Sequence, residues 1–291
     1  MTLFDAEFIK RLEYLSLVSR RVFRGQLLAQ RRTKQLGGGI EFADHREYSR
    51  GDDLRYIDWN IFARYNELLL KRFQEEEDLH VYILLDNSKS MNAGNPNKFD
   101  YVRRIAAALA YIALADLDRV SIYTYADQLQ STMPLVRGKD RILTALRYLD
   151  GLQTSGTSTS LSNAAKALVN RAQRTGLVVV LSDLFDQEGF RGGVDLLRHR
   201  RYEPHVIQVH TPEEANPTWL GDVDLEEMET GNRRKITITE RKLKQYRQLF
   251  EQFLVNVDTY CRSYSISCTR TTTDVPFDEL ILSMMRASAV R

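Results

Sequence analysis

The sequence predicts an α/β fold: a mostly parallel sheet flanked by helices, preceded by an N-terminal helical and β extension. Residues 81–85 and 178–181 are unbroken apolar runs of β-formers, the pattern of strands buried on both faces. Each run stops abruptly at polar residues, Asp86-Asn87-Ser88-Lys89-Ser90 in the first case and Ser182-Asp183 in the second. Helix-length stretches separate these runs from their neighbours, which implies βαβ units. In open α/β sheets the ligand crevice lies beyond the carboxyl ends of the strands, so both polar tails fall where a site is expected.

Taken in order, residues 5–35 read as a helix with Phe8, Leu12, Leu15, Leu17 and Val18 on an apolar stripe. Its second half is basic (Arg20, Arg21, Arg24, Arg31, Arg32, Lys34), either a phosphate-binding face or a solvated one neutralised by residues 75–78. No aromatic platform is interleaved with these charges, which favours the solvated reading. Gly37-Gly38-Gly39 lacks the lysine and hydroxyl of a phosphate loop and reads as a connector. Residues 41–72 then alternate arginines and carboxylates with aromatics. Asp52, Asp53 and Asp58 would serve as acid or base in a catalytic cluster. With no nucleophile or metal-spaced histidines nearby, a structural network of Arg46, Arg55, Asp58, Trp59 and Arg64 is expected, docking the N-terminal segment on the sheet domain.

Residues 98–117 form an apolar helix covered on both flanks, residues 119–126 a strand nearer an edge, and residues 129–136 its hairpin partner. Helices follow at 140–149, 160–175 and 193–201, with another buried strand at 205–210. Residues 211–239 hold two prolines, many acids and a Thr230-Gly231-Asn232 turn, read as a projecting hairpin with an acidic face. A long amphipathic helix at 240–263, a strand at 265–271 and a last helix from Pro276 close the chain. The five histidines show no zinc spacing.

At 291 residues, one large domain or two ordinary ones fit; the division expected is 1–75 and 76–291, the hairpin being an insertion near 211–239. An apolar content of 43% with 27% charged residues is that of a globular protein. A net charge of +2 favours neither nucleic acid nor a membrane surface. Residues 105–115 are too short to span a bilayer, and the first residues lack a secretory pattern. Cys261 and Cys268 read as a reduced pair rather than a disulfide framework. These features together point to the cytoplasm.

The polar tails carry the chemistry. Asp-x-Ser-x-Ser after residue 85 supplies only oxygen atoms, which suits a hard cation such as magnesium. The plainer reading is a polar turn in which Asp86 and Ser88 cap the next helix. Gly156-Thr157-Ser158-Thr159-Ser160-Leu161 opens a helical run and places hydroxyls at its N-terminus, and Asp183 ends the second strand.

This triple resembles the metal-ion-dependent adhesion site (MIDAS) of von Willebrand factor A domains. Carried over residue by residue, the resemblance implies Asp86, Ser88, Ser90, Thr159 and Asp183 as metal ligands. The cation implied is Mg2+, or Mn2+ or Ca2+ in its place. Thr157 is also present, but Thr159 stands two before Leu161 as the family pattern requires; Thr157-Ser158 replaces the pattern's two glycines. Glu41-Phe42…Arg46-x-Tyr48, Gly51-Asp52-Asp53-x-Arg55-x-Ile57-Asp58-Trp59 and Ala63-Arg64, followed by the Asp-x-Ser-x-Ser strand, resemble the bacterial family named domain of unknown function 58. From about Gly37 onward that resemblance implies a von Willebrand A-like domain working beside a MoxR-type AAA+ ATPase. The function expected is a non-enzymatic, metal-dependent adaptor whose open metal position takes a Glu or Asp of a protein partner. Asn87, Lys89, Met91, Asn92, residues 154–158 and residues 184–189 would form the rim. A metal-dependent phosphoester hydrolase and a basic binder of nucleic acid or anionic lipid are the alternatives.

Overall fold

The computed structural model describes residues 3–31, 36–37, 41–74, 79–156, 158–186, 188–226 and 233–289. The chain divides into two compact units, Arg21–Asp78 and a larger one made of Met1–Arg20 with Leu79–Arg291. The first twenty residues thus group with the sheet rather than with the segment that follows them. Helix α1 (Ala6–Arg31) starts behind Asp5, whose carboxylate accepts the Phe8 N–H at 2.8 Å. Its stripe buries Phe8, Leu12 and Leu15, with the Phe8 ring 4.8 Å from that of Phe277. Leu17, expected on that stripe, is exposed. The basic side chains from Arg20 to Lys34, Gly38, Gly39 and residues 75–78 lie outside the described residues.

In the smaller unit, β1 (Leu36–Gly37) and β2 (Glu41–Glu47) flank β3 (Leu69–Gln74) in an antiparallel sheet. A 3-10 turn and helix α2 (Trp59–Tyr65) fill the connection between β2 and β3. The charged block of the sequence lies here, on β2, that connection and β3.

The larger unit is built on β4 (His80–Asp86), α3 (Lys98–Ala115), β5 (Arg119–Tyr125), β6 (Leu129–Arg137), α4 (Ile142–Asp150), α5 (Leu161–Arg171) and β7 (Leu177–Ser182). It continues through α6 (Arg191–His199), β8 (Glu203–His210), α7 (Pro212–Ala215), β9 (Gly221–Glu226), β10 (Arg233–Ile238), α8 (Glu240–Ser263), β11 (Ser267–Thr272) and α9 (Phe277–Ala289). Its main sheet has six strands in the order β11-β8-β7-β4-β5-β6. All neighbours pair in parallel except the hairpin edge β6, which runs against β5.

Every residue of β4 is buried, because helices cover both faces of the sheet. Tyr82 and Leu84 pack with Val178 and Val180 beneath Leu161, Leu168, Val194, Leu197 and Val257 of α5, α6 and α8. Ile83 and Leu85 point to the opposite face by strand alternation, where the alanine-rich α3 buries Ile105, Ala106 and Leu114. Each fully buried leucine or isoleucine there contributes about 1.5–3 kcal/mol. Gly193 lets α5 and α6 approach closely, since a Cβ there would lie 2.7 Å from the Leu161 side chain.

The β9–β10 hairpin is present, with its turn outside the described residues. Its register sets Asp224 opposite Lys235 and Asp222 opposite Thr237, while Glu227 and Glu229 of the expected acidic face lie outside the described residues. Cys261 and Cys268 are both free thiols, as expected. No helix among the described residues is long and apolar enough to cross a membrane.

Candidate metal site

The strand order grows outward from the β4–β7 pair in both directions, through β5 and β6 on one side and β8 and β11 on the other. Successive connections therefore leave that pair on opposite sides and open a crevice at its carboxyl end. Leu85 pairs with Leu181, which puts Asp86 beside Ser182 at this switch point.

Asp86 is fully buried. One of its oxygens accepts the Ser88 N–H at 3.0 Å, and the other accepts the Ser182 hydroxyl at 2.6 Å. The Ser88 and Ser90 hydroxyls lie 3.0 Å apart. Asp183 is buried as well, with Oδ1 accepting the Phe185 N–H at 3.1 Å and Oδ2 accepting from the Lys98 ammonium at 2.8 Å. Burial, and after it the nearby charge of Asp183, push the Asp86 carboxyl up to about 7.

Loop geometry holds these groups in place. Leu184, directly after Asp183, has φ +64°, a left-handed conformation that costs a leucine roughly 1–2 kcal/mol. Ser182 offsets that strain: its hydroxyl accepts the Leu184 N–H at 2.9 Å while donating to Asp86. The threonine loop is tied in by Asn87, whose carbonyl accepts the Ser155 N–H at 2.7 Å and whose amide donates to the Gln153 carbonyl at 3.2 Å. Ser160 N–H adds a bond to the Ala126 carbonyl at 2.8 Å. Gly156 is required here, because its φ is +92° and a Cβ would meet Ala126 at 2.5 Å. Thr159 is buried at the start of α5, whereas Thr157 lies outside the described residues.

The donors suit a hard divalent cation: two close carboxylates with neutral hydroxyls beside them. Two buried atoms of the neighbourhood, Asn87 Oδ1 and Tyr125 Oη, make no hydrogen bond of good geometry among the described residues. Burial and then Asp86 drive the Tyr125 phenol well above its ordinary range, so it stays protonated. No group of three or more His, Cys, Asp or Glu side chains among the described residues is arranged to hold a metal, so a cation here depends on the hydroxyls.

Several features escaped the sequence reading. Ser182 joins the two carboxylate loops, and Lys98, at the first position of α3, contacts Asp183. Asp186 falls within the stretch expected at the rim. It accepts the Leu161 N–H at 2.9 Å and so caps α5. Of the expected rim, Asn87, Met91 and Leu184 are buried, leaving Lys89, Asn92, Phe185 and Glu188 toward solvent.

The charged block of the smaller unit also differs from expectation. Asp58 is centred on His45 at 3.0 Å and Lys71 at 3.4 Å rather than on arginines, and its carboxylate caps α2 through Asn60 N–H at 3.0 Å. Arg46 pairs with Asp52 and Arg55 with Asp53, both at 2.6 Å and accessible to water, and Trp59 is exposed.

The larger unit is thus a doubly wound α/β domain: a mostly parallel sheet with one antiparallel edge, carrying carboxylates and hydroxyls at its switch point. Residues 44–254 match the family described as "Protein of unknown function DUF58", and the chain belongs to that family. It is 26% identical over 211 residues to the uncharacterized protein Mb1516 of Mycobacterium bovis (strain ATCC BAA-935 / AF2122/97). It is equally similar to the uncharacterized protein Rv1480 of Mycobacterium tuberculosis (strain ATCC 25618 / H37Rv), again 26% over 211 residues. The matches cover 69% of this chain and 65% of each relative, so the chain spans just under two thirds of their length. Among solved structures it is similar to the conserved hypothetical protein BatB from Bacteroides thetaiotaomicron, with TM-score 0.47, 17% identity, and coverage of 73% of this chain and 100% of that one. It is also similar to proximal thread matrix protein 1 from the mussel byssus with a zinc-occupied MIDAS motif, with TM-score 0.42, 17% identity, and coverage of 73% and 45%.

Proposed function

We propose that this chain is a non-enzymatic, metal-dependent protein-binding adaptor that works with a MoxR-type AAA+ ATPase in chaperone-like remodelling or complex maturation. The observation that carries the reading is the pair of buried carboxylates, Asp86 and Asp183, beside the Ser88–Ser90 hydroxyls at the sheet's switch point. Asp86, Ser88, Ser90, Thr159 and Asp183 would hold the cation, with Mg2+ as the ion expected. When bound, the metal supplies an incompletely neutralised charge that a partner's Glu or Asp completes.

The chain's own residues orient that exchange. Ser182 fixes Asp86, the Asn87–Ser155 bonds hold the threonine loop, and exposed Phe185 and Glu188 stand beside the opening. Hydrolysis is disfavoured because Lys98, the amine that donates to Asp183, is held as an ammonium and is no base.

The test is capture of a purified MoxR-type ATPase by the full chain in Mg2+ or in EDTA, with a Ser88→Ala, Ser90→Ala double variant alongside. Capture should require Mg2+ and the serines, while the variant melts near wild type. Capture that ignores both would place the contact elsewhere. Turnover of a phosphoester by the wild type would replace the adaptor with an enzyme.

A further inference from the structure

Lys98 is fully buried, an uncommon setting for a lysine. Its Nζ donates to Asp183 Oδ2 at 2.8 Å and to Glu214 Oε1 at 2.6 Å, and it lies 5.8 Å from the centre of the Phe185 ring. Shut off from solvent, the ammonium is paired instead with two carboxylates at hydrogen-bonding distance. Glu214 is itself fixed: its other oxygen accepts the Thr211 N–H at 2.8 Å in the capping box of α7. The result is a rigid Asp183–Lys98–Glu214 chain drawn from α3, the β7 loop and α7. Asp86, by contrast, accepts from neutral donors, the Ser88 N–H and the Ser182 hydroxyl.

With all three carboxylates ionised, the single ammonium leaves this cluster two charges negative, which one divalent cation balances. We propose that Lys98 is an internal counter-cation that sets the metal affinity of the Asp86–Asp183 site, keeping the loops folded without metal and the bound metal weak and exchangeable. The proposal rests on the reading that this site takes a divalent cation. Lys98 is a positioning residue: it touches Asp183, and it acts on the cation through charge. Glu214 moderates it. Removing the lysine charge should make the pocket more attractive to a cation, and removing the glutamate charge should make it less so.

Those two effects have opposite signs, which a merely structural role would not produce. Mn2+ is the probe, titrated into metal-free full-length protein and followed by loss of the free-ion electron paramagnetic resonance signal. Lys98→Met should bind Mn2+ at least about tenfold more tightly than wild type, Glu214→Gln about tenfold more weakly, and Lys98→Arg close to wild type. Metal-free Lys98→Met should melt lower than wild type and recover when Mn2+ is added.

If both variants weaken binding, Lys98 is scaffolding only and the proposal fails. It fails equally if neither variant moves while Asp86→Ala abolishes binding, an outcome that leaves the metal site standing. If the wild type takes up no Mn2+ at all, the metal reading falls and this proposal with it. Should Lys98→Met not fold, Glu214→Gln decides: weaker binding supports the proposal, and unchanged binding overturns it.

Discussion

Two aspartates, one in each compact unit, show how the same carboxylate is put to opposite uses. Asp58 in the smaller unit caps a helix and has partners at hand, the His45 ring at 3.0 Å and the Lys71 ammonium at 3.4 Å. Its hydrogen bond with His45 leads the causes that hold its carboxyl below the ordinary value. Asp86 in the larger unit is fully buried, accepts the Ser88 N–H and the Ser182 hydroxyl and faces a second carboxylate, so burial first and then Asp183 drive its carboxyl upward. A carboxylate that already has its cation is a structural fastener. One that is buried without a cation is costly unless something positive arrives. The contrast singles out the β4–β7 crevice, and not the denser charged block around Asp58, as the place where the proposed cation would act.

The largest test of this contrast is Asp183→Ala. It leaves the Lys98 ammonium buried with Glu214 alone, and breaking a buried pair costs roughly 3–5 kcal/mol. Urea unfolding at fixed pH would measure it, and a loss no larger than that of an Asp58 variant would erase the distinction. Asp86→Asn should go the other way. At pH 8 without metal it removes an uncompensated buried charge, so its melting temperature should rise or stay level while the gain from added Mg2+ disappears. A clear destabilisation would mean that Asp86 is already satisfied. Ser182→Ala comes next. It orphans an oxygen of Asp86 and the Leu184 N–H together, a loss of about 1–3 kcal/mol by chemical denaturation, and an unchanged midpoint would deny it a linking role.

Much of this was legible in the sequence because it depends on local pattern. The apolar run before Asp86 announces a buried central strand, and the spacing of Leu243, Phe250 and Val257 announces α8, observed at the residues expected. The polar tails sit at strand ends by chain order alone. What escaped depends on partners remote in sequence. The hydroxyl of Ser182 meets Asp86 across 96 positions, and Lys98 meets Asp183 across 85 and Glu214 across 116. A lysine opening a helix ordinarily reads as solvated, and only the fold reveals that α3 begins inside the crevice. Met91 and Leu184 look like rim residues in the sequence. The turn after Ser88 and the left-handed backbone at Leu184 fold them inward. Around Asp58, alternating charges and aromatics suggested buried arginine forks, yet Arg55 and Trp59 face water.

A smaller effect is expected at His210, a buried β8 residue whose Nδ1 has no partner among the described residues. Burial, and after it Arg270 and Lys98, push its imidazole down to about 4 from an ordinary 6.5. In the folded protein it stays neutral while the unfolded chain takes up a proton, so stability should fall as pH drops from about 6.5 to about 4. Asp86 titrates over the same range with the opposite slope, so the His210 part is isolated by comparing His210→Phe with wild type. The variant should lose a few degrees less of melting temperature between pH 7 and pH 4.5. Parallel curves would show that His210 is not held neutral.

The smallest effect belongs to Asp58, and two variants separate its roles. Asp58→Asn keeps a side-chain acceptor for the Asn60 and Ile61 N–H groups, since asparagine caps as well as aspartate, but it gives up the charge facing His45 and Lys71. Asp58→Ala gives up both. Partial exposure screens the ion pairs, so Asp58→Asn should melt within a degree or two of wild type and Asp58→Ala a few degrees lower. The pH dependence has a definite sign. A carboxyl held below its unfolded value contributes stability above that value and loses it as pH falls through the folded one, here below about 4. Wild type should therefore converge on Asp58→Asn in strong acid. If Asp58→Asn proves as damaging as Asp58→Ala at neutral pH, the charge rather than the cap is what Asp58 supplies. The smaller unit would then share with the β4–β7 crevice a dependence on paired charge that its exposed geometry argues against.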